Sequence, residues 1–328
     1  MSDIKKVLVT GGGGYVGSSL IPKLLKENFE INVLDLMIYG DTLMENPKLK
    51  IFKGDLRNIA LVRKSLKGCD AVIHLACISN DPSFELDKKL GKEINLDAFR
   101  PLVEESQKAG VKRFIYASSS SVYGLKKEKN VNEEMSLEPL TDYSKFKADC
   151  EKILTEYKSE NFITTIIRPA TVCGFSPRQR LDLVVNILTN LAYNNRQITI
   201  FGGPQMRPNI HINDMTDLYL LLLKISGKHI NGKIFNAGYE NNTVSDLGKI
   251  VKENVGDDVN LIFSKTDDNR SYHISSDKIK NELNFQANHS INEAVLDLVA
   301  AFKSKILIDP LNNEMYFNIK RMNNINLK

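Results

Sequence analysis

The chain has 328 residues, a net charge of +4, 42% hydrophobic residues and 26% charged residues. This composition is typical of globular proteins and excludes disordered and fibrous classes, and the length predicts about two domains of ~150 residues each. The small charge excess argues against a nucleic-acid-binding protein that depends on a clustered basic surface.

The cysteines and the apolar segments predict a cytoplasmic protein with no metal site and no membrane partner. No pair among the four cysteines has metal-site or Cys-x-x-Cys spacing, which indicates reduced thiols. The first apolar run, Val7-Leu8-Val9, is too short for the hydrophobic region of a secretory signal. No segment approaches the ~20 apolar residues that a membrane span requires.

The first half of the chain alternates short apolar runs with helical patterns. The predicted strands are Lys6–Thr10, Glu30–Leu36, Lys50–Lys53, Ala71–Leu75, Arg113–Ala117 and Ile163–Ile167. The predicted helices are Tyr15–Glu27, Ile59–Leu66, Leu90–Ala109 (ended by Gly110) and Asp142–Ser159. Such alternation predicts an α/β fold with a doubly wound parallel sheet and helices on both faces.

The alternation weakens after Pro169, which predicts a second region. We expect one domain over residues 1–174, a smaller substrate-binding region over 175–328, and a return of 209–240 to the first domain. A helical pattern covers Leu181–Tyr193. Residues 311–328 are rich in Asn and Lys and are expected to fray, with a packed terminal helix as the alternative.

A glycine cluster lies between the first strand and the first helix, and its sequence is Thr10-Gly11-Gly12-Gly13-Gly14-Tyr15-Val16-Gly17. Glycines allow positive φ and a close approach of the backbone to a pyrophosphate. The free N–H groups at the helix start then bind the phosphate anion. This context predicts a Rossmann-type dinucleotide site at Gly11, Gly14, Tyr15, Val16 and Gly17.

Asp35 ends the second predicted strand. A carboxylate at this place accepts hydrogen bonds from a ribose 2′-hydroxyl and repels a 2′-phosphate. The sequence therefore predicts NAD rather than NADP as the cofactor.

Tyr143 and Lys147 are four residues apart on a predicted helix and share one face. Tyrosine has an ordinary pKa of about 10, and a Lys cation at ~4 Å offers up to ~4 kcal/mol at an effective dielectric near 20. That interaction would bring the pKa of Tyr143 toward neutrality, where a general base works best. Ser119, in the serine run after the fifth strand, would orient the alcohol and the tyrosine oxygen. The three residues predict alcohol–ketone hydride transfer.

Together these motifs resemble the extended short-chain dehydrogenase/reductase family, in its nucleotide-sugar epimerase/dehydratase branch. The matching pieces are Thr10-Gly11-xx-Gly14-xx-Gly17, Asp35, Gly54-Asp55-Leu56, His74-Leu75-Ala76, Ser118-Ser119-xx-Val122-Tyr123-Gly124, Tyr143-xxx-Lys147 and Arg168-Pro169. Arg207-xxx-His211-Ile212-xx-Asp214 and Phe235-Asn236-Ala237-Gly238 extend the resemblance to about residue 240.

The resemblance implies further cofactor contacts. Asp55 and Leu56 are expected at the adenine ring, Leu75 and Ala76 in the cofactor site, Asn95 near the cofactor ribose, and Lys147 at the nicotinamide ribose. His74 is expected to pack beside the cofactor rather than to move a proton. Ser119 takes the position of the family's catalytic Ser or Thr.

The resemblance also implies a nucleotide-diphosphate sugar as the substrate. Arg207 matches the family position that binds the substrate diphosphate, and Arg270 is a second candidate. Arg178 and Arg180 lie in a loop that would close over the sugar. Thr171, Asn80 and Ser120 complete the expected substrate contacts, although for Asn80 a loop Asx-turn is an equal alternative.

One departure from the family pattern bears on the reaction. Relatives that are 4,6-dehydratases carry an acid pair after the catalytic Ser or Thr, whereas this chain has Ser120 and Ser121. Elimination at C6 is therefore disfavoured, and oxidation at C4 of a hexose or heptose remains, as a 4-epimerase or a 4-dehydrogenase.

Several alternatives stay open at this point. They are a 4-keto-sugar reductase, a dehydrogenase of a non-nucleotide substrate, and a non-catalytic nucleotide-sensing protein on the same fold. The resemblance further implies a role in surface polysaccharide biosynthesis and a homodimer that pairs the helices predicted at Leu90–Ala109 and Asp142–Ser159.

Overall fold

A computed structural model describes residues 4–79, 81–128, 130–266, 271–325 and 327. The predictions for Asn80 and Arg270 lie outside the described residues. Within those ranges, no helix combines the length and the apolar character that crossing a membrane requires.

The strands alternate with helices through the first half of the chain. The strands are β1 (Lys6–Thr10), β2 (Glu30–Asp35), β3 (Leu49–Lys53), β4 (Ala71–His74), β5 (Arg113–Ala117), β6 (Ile163–Pro169), β7 (Thr171–Cys173), β8 (Gln197–Phe201), β9 (Met206–His211), β10 (Lys233–Ala237), β11 (Glu240–Thr243) and β12 (Asn260–Ser264). The α-helices are α1 (Tyr15–Lys26), α2 (Ile59–Leu66), α3 (Asp81–Phe84), α4 (Lys88–Lys92), α5 (Phe99–Lys108), α6 (Asp142–Glu156), α7 (Val184–Asn195), α8 (Ile212–Lys224), α9 (Val244–Val255), α10 (Asp277–Leu283), α11 (Ile291–Lys303) and α12 (Asn318–Ile325).

The central sheet has seven parallel strands in the order β10-β6-β5-β4-β1-β2-β3. The order reverses at β1 and β4, which opens a crevice at the carboxyl edge where such folds bind ligands. The predicted doubly wound Rossmann-type sheet is confirmed. The strand β10 lies at one edge beside β6, far along the chain from the other six.

Two hydrophobic cores enclose this sheet because helices cover both faces. Val7 and Val9 of β1 pack into one core and Leu8 packs into the other, and all three side chains are fully buried. The strand therefore reads as a continuous apolar run, as expected for a parallel sheet buried on both sides.

The predicted continuous helix Leu90–Ala109 is wrong in one respect. The structure has α4, then a π-helical turn at Glu93–Asp97, then α5. The Ala98 N–H bonds to the Glu93 carbonyl at 3.0 Å, one residue beyond α-helical spacing. Pro101 follows and has no N–H with which to continue the regular ladder. Gly110, with φ +79°, ends α5 as predicted.

The C-terminal region adds two small sheets and its own core. One sheet has the order β11-β9-β7 and the other pairs β12 with β8. Side chains of α7, α9 and α11 fill the core between them.

The expected frayed tail at 311–328 is wrong for the part of it that the structure describes. Residues Glu314–Tyr316 form a 3₁₀ turn, and α12 follows. Asn318 and Met322 are buried. Ile319, Met322 and Ile325 recur at a three-residue spacing, and of these Met322 anchors the helix in a buried cluster with Ile78, Phe84 and Ile94, whereas Ile319 is exposed.

Candidate active site

A cavity of about 500 Å³ opens at the carboxyl edge of the central sheet. Most of the residues that the sequence predicts for the site line it. These are Gly11, Gly14, Tyr15, Val16, Gly17, Asp35, Asp55, Leu56, Leu75, Ala76, Ser119, Ser120, Tyr143, Lys147, Thr171, Arg178, Arg180 and Arg207.

The glycine turn between β1 and α1 packs so closely that side chains do not fit. Gly11 has φ +73°, and a Cβ there would lie 2.5 Å from the backbone nitrogen of Ala76. A Cβ on Gly17 would lie 2.4 Å from the Gly12 carbonyl oxygen. Gly14 is the N-cap of α1 and supplies no side-chain cap, so the N-terminal N–H groups of α1 remain for an anion.

Asp35 faces this turn from the end of β2. Its carboxylate accepts the Gly13 N–H at 3.0 Å and the Met37 N–H at 2.7 Å. Burial raises the pKa of Asp35 above its ordinary value, and those two amides and the Arg178 cation oppose the rise. The turn and the carboxylate together form a cradle for a diphosphate and a ribose.

The next two loops along the edge supply another wall of the cavity, where the sequence predicts the adenine ring. Asp55 is held by Arg57, with 2.8 Å between Nη2 and the carboxylate. Burial raises the pKa of Asp55, but hydrogen bonds from Arg57 outweigh it and leave the pKa below the ordinary value. Leu56, Leu75 and Ala76 add apolar surface beside it.

Two residues predicted beside the cofactor lie behind the cavity wall. Asn95 is buried, and its amide accepts from the Ile78 N–H at 2.8 Å and donates to the Ile78 carbonyl at 3.0 Å. This correction arises because the π-helical turn aims Asn95 at Ile78, which itself lines the cavity. His74 bonds to Thr10 at 2.7 Å, and burial, with the nearby Lys147 cation, lowers its pKa to about 3. A neutral, enclosed imidazole fits the expected packing role.

Tyr143 and Lys147 lie one turn apart on α6. Thr141 caps this helix through a capping box with Ser144, which fixes Tyr143 in the first turn. The Lys147 ammonium is 5.8 Å from the centre of the Tyr143 ring and donates to the Ala117 carbonyl at 2.7 Å. A buried cation is therefore held beside the phenol at the cavity wall.

The serine run after β5 forms a short 3₁₀ turn opposite α6. Ser119 caps it: the Ser119 hydroxyl accepts the Ser121 N–H at 3.1 Å and lies 2.8 Å from the Ser121 hydroxyl. Ser120 and Ser121 also line the cavity. Ser118 also lines the cavity, and its hydroxyl donates to the buried Glu151 at 2.5 Å, so it braces the turn.

The loop before α7 brings two buried arginines to the cavity. Arg180 pairs with Asp182 at 2.8 Å and donates to Ser79 at 3.1 Å, while its Nη2 has no hydrogen-bond partner among the described residues. Arg178 stacks on Tyr39, 3.6 Å from the ring centre. Burial, then the neighbouring Arg180 cation, lowers the pKa of Arg178 to about 10.

Arg207 and Thr171 line the cavity from two strands of the smaller sheet. Arg207 lies on β9, 5.9 Å from the centre of the Tyr272 ring, and donates to the Met206 carbonyl at 3.0 Å. Thr171 begins β7, directly beside β9 in the smaller sheet. The smaller sheet therefore brings both side chains to the cavity.

Several lining residues were not found from the sequence. Tyr39 and Asp182 carried no motif that marks them, although the alternation Arg178-x-Arg180-x-Asp182 signals a charged loop. Asn318 and Met322 come from α12, whose three-residue apolar spacing was available but was outweighed by the Asn-rich composition.

The donors around the cavity fit a dinucleotide. The uncapped start of α1 and the Arg178 cation suit a diphosphate, and Asp35 suits a ribose hydroxyl. Among the described residues, no group of three or more His, Cys, Asp or Glu side chains is arranged to hold a metal ion.

The amino-acid sequence also matches known proteins. A model of the NAD-dependent epimerase/dehydratase family matches residues 7–238. A UDP-glucose 4-epimerase of Lactobacillus helveticus is 30% identical over 251 residues, which are 71% of this chain and 76% of the relative.

Solved structures agree with the fold. A UDP-glucose 4-epimerase of Thermotoga maritima with UDP-glucose has a TM-score of 0.84 and 25% identity, covering 92% of this chain and 99% of that one. A dTDP-glucose 4,6-dehydratase of Streptomyces venezuelae, solved with NAD bound, has a TM-score of 0.84 and 23% identity over 94% of this chain and all of that one. The predicted cofactor, NAD, is confirmed.

Proposed function

The chain belongs to the NAD-dependent epimerase/dehydratase family, and from that premise we propose that it is a nucleotide-sugar 4-epimerase. In this proposal the enzyme oxidises C4 of the sugar and then restores the hydroxyl with inverted configuration. The NAD-dependent enzyme class is shown by the family, and C4 as the site of reaction is our inference.

The observation that carries the proposal is the arrangement of Tyr143, Lys147 and Ser119 on one cavity with the glycine turn. When bound, NAD accepts a hydride from carbon and can return it. Tyr143 is the group placed to take the proton from the C4 hydroxyl. Lys147, fixed by the Ala117 carbonyl, stabilises the phenolate form of Tyr143 that accepts this proton. Ser119 hydrogen-bonds the sugar oxygen during the transfer.

The serines at positions 120 and 121 favour epimerisation over dehydration. Expulsion of the C6 hydroxyl needs a proton donor and a base, and a serine hydroxyl near its ordinary pKa is neither. Ser120 and Ser121 therefore do not supply the acid and the base that elimination of the C6 hydroxyl from the keto-sugar requires. Return of the hydride completes a reaction that needs no second oxidant, whereas a 4-dehydrogenase has to recycle NADH.

Arg180, Arg207 and Thr171 are the proposed sugar and diphosphate contacts. The Nη2 of Arg180 is buried and has no hydrogen-bond partner in the part of the chain that the structure describes, and burying an unpaired donor is costly, so a substrate anion would satisfy it. A sugar phosphate or a C6 carboxylate provides that anion. Arg207 lines the cavity from β9, and its cation suits the substrate diphosphate.

The test is to mix purified protein with UDP-, GDP-, CDP- and dTDP-hexoses and with a UDP-hexuronic acid, adding no cofactor. Reduced-nicotinamide absorbance and the C4 configuration of the sugar are followed together. Inversion at C4 with no net NADH supports the proposal. One equivalent of NADH per enzyme with a released keto-sugar makes the protein a dehydrogenase, and a 4-keto-6-deoxy product makes it a dehydratase.

A Tyr143→Phe variant serves as the control for chemistry. If inversion continues at the wild-type rate in this variant, the base is another group. If no nucleotide sugar changes either the absorbance or the C4 configuration, although one NAD is bound per chain, the substrate is not a nucleotide sugar.

Three further expectations remain predictions. The homodimer would pair α5 with α6 across two chains, yet among the described residues none of the large exposed hydrophobic side chains lies on either helix. The oligomeric state is measured by light scattering at several protein concentrations. A cytoplasmic location and a role in surface polysaccharide biosynthesis are tested by fractionation and by the polysaccharide of a deletion strain.

A further inference from the structure

Asn318, the first residue of α12, joins this helix to two other segments around the cavity, the loop after β4 and the loop before α7. Its N–H donates to Asp182 at 2.9 Å, and its side-chain amide donates to Ser79 at 3.0 Å. Its side-chain oxygen accepts from Nη2 of Arg178 at 2.6 Å. The residue is only 3% exposed, so the C-terminal segment is built into the site rather than resting on its surface.

The strand order shows what α12 covers. Ser79 belongs to the loop after β4, and Ile38 belongs to the loop after β2; β1 lies between these two strands. Arg321 of α12 donates from Nε to the Ile38 carbonyl at 2.6 Å, and Asn318 bonds to Ser79. A helix tied to both loops crosses the carboxyl edge above the glycine turn that follows β1.

Apolar contacts also hold α12 against the rest of the protein. Met322 packs in a cluster with Ile78, Phe84 and Ile94, and both Met322 and Asn318 line the cavity. The preceding chain is anchored as well, because the Leu181 N–H donates to the Tyr316 carbonyl at 2.9 Å. The family model ends at residue 238, so this closure comes from a part of the chain outside the matched region.

Arg178 lies at the cofactor end of the cavity and not at the sugar end. Its backbone N–H donates to Ser18 of α1 at 3.0 Å, and its guanidinium stacks on Tyr39, four residues beyond Asp35. Arg178 is 3% exposed, and its Nε has no hydrogen-bond partner among the described residues. A buried guanidinium with an unmet donor beside an uncapped helix start is a site built for an anion.

We propose that Arg178 binds the diphosphate of NAD and that Asn318 positions Arg178, so that α12 latches the cofactor in place. The latch rests on the proposed function, since a returned hydride requires that the reduced cofactor stay bound between the two half-reactions. Arg178 is thus assigned to the cofactor, and Arg180 alone of this pair remains a substrate contact.

The experiment measures cofactor release without any sugar. Full-length protein loaded with NADH is mixed with excess NAD, and the loss of bound-nicotinamide fluorescence gives the release rate. In Arg178→Gln we expect release about 10- to 150-fold faster, the range for losing a hydrogen bond to a charged group. Arg178→Lys keeps the charge and recovers part of the loss. Asn318→Ala speeds release in the same direction, and Arg196→Gln, at an exposed site, leaves it unchanged.

A second readout separates positioning from general stability. Asn318→Ala is expected to lower the cofactor-free melting temperature, because it leaves the buried Arg178 Nη2 without its acceptor, and in addition to shrink the rise in melting temperature on adding NAD. NADH release at the wild-type rate in both Arg178→Gln and Asn318→Ala overturns the proposed latch. If Arg178→Gln does not fold, the release rates of Arg178→Lys and Asn318→Ala are compared with the wild-type rate instead. Unchanged NADH release in Arg178→Gln, together with weaker binding of a nucleotide sugar in a separate titration of the same variant, would return Arg178 to the substrate. Because no sugar is present, failure of the epimerase proposal leaves the release result standing.

Discussion

The Lys147 ammonium lies 5.8 Å from the centre of the Tyr143 ring and is fixed 2.7 Å from the Ala117 carbonyl oxygen. The carbonyl belongs to the last residue of β5, so the sheet sets the position of the cation relative to a phenol on α6. A helical spacing of four residues brings the two side chains to one face, but the strand end holds the lysine there.

The first prediction follows from this pair. Tyr143→Phe removes the proposed general base and is expected to lower kcat about 10²- to 10⁴-fold on the sugar that the panel identifies. NAD content per chain stays at the wild-type level because the phenol is not needed to hold the glycine turn. Tyr239→Phe is the matched control, since Tyr239 is exposed and away from this cavity. Equal losses in both variants would remove Tyr143 from the mechanism.

The second prediction concerns cofactor choice. Asp35→Asn keeps the side-chain shape but removes the charge that accepts from a ribose hydroxyl. We expect NADH to bind about 10- to 150-fold more weakly, with a smaller effect on NADPH, because hydrogen bonds to a charged group contribute ~1.5–3 kcal/mol. Fluorescence titration with both cofactors measures the ratio. Asp41→Asn, on an exposed loop, is the control, and an unchanged NADH affinity in Asp35→Asn contradicts the assignment.

The third prediction separates two reasons for glycine. Gly11 and Gly110 both have positive φ, but a Cβ on Gly11 meets the Ala76 backbone nitrogen at 2.5 Å while a Cβ on Gly110 meets nothing within 4 Å. Gly110→Ala should cost only the left-handed backbone penalty, ~1–2 kcal/mol. Gly11→Ala should cost more and also lose bound NAD. Urea unfolding and cofactor content measure the two effects, and equal costs with NAD retained would show that the close approach is unimportant.

The fourth prediction addresses the buried ion pair under the serine turn. Arg168 and Glu151 are 2.7 Å apart, and both side chains are almost fully buried. Arg168→Met leaves the Glu151 carboxylate without its partner, which typically costs about 3–5 kcal/mol. Chemical denaturation checks the value. Lys152→Met breaks an exposed pair with Asp149 on the same helix and should leave the unfolding midpoint unchanged. A small loss of unfolding free energy in Arg168→Met would mean that water and the existing hydrogen bond from Ser118 are enough to stabilise the Glu151 carboxylate.

The fifth prediction is a pH dependence of stability. His289 lies 2.8 Å from the buried Asp214, and its hydrogen bond to that carboxylate raises the pKa of His289, with Glu293 and Asp217 adding to the effect. The native state therefore holds this proton more tightly than the unfolded chain. The stabilisation is complete below the ordinary His pKa of about 6.5 and is lost as pH rises through the higher native value.

The measurement is the free energy of unfolding from pH 6 upward, an interval of roughly two pH units around the ordinary His value. His289→Gln should flatten the decline, and His229→Gln, on an exposed turn, should not. A decline that persists unchanged in His289→Gln would contradict the assignment of this pH dependence to His289.

The sequence by itself determined the doubly wound sheet, the glycine turn, Asp35 and the Tyr143–Lys147 pair. Each depends on local chemistry: an alternation of apolar runs, a turn that needs positive φ, a strand-end carboxylate, or a helical spacing. The same local rules predicted α2 and β5 to the residue.

The tertiary structure alone decided where the remaining residues lie. Arg178 and Arg180 are two residues apart in a loop, yet one stacks beside the cofactor cradle and the other pairs with Asp182. Asn95 turned to Ile78 because a π-helical turn redirected it. The C-terminal helix lies over the glycine turn because Asn318 bonds to Arg178 and Arg321 bonds to Ile38. These contacts join residues far apart in the sequence, so the local composition of the tail could not predict them.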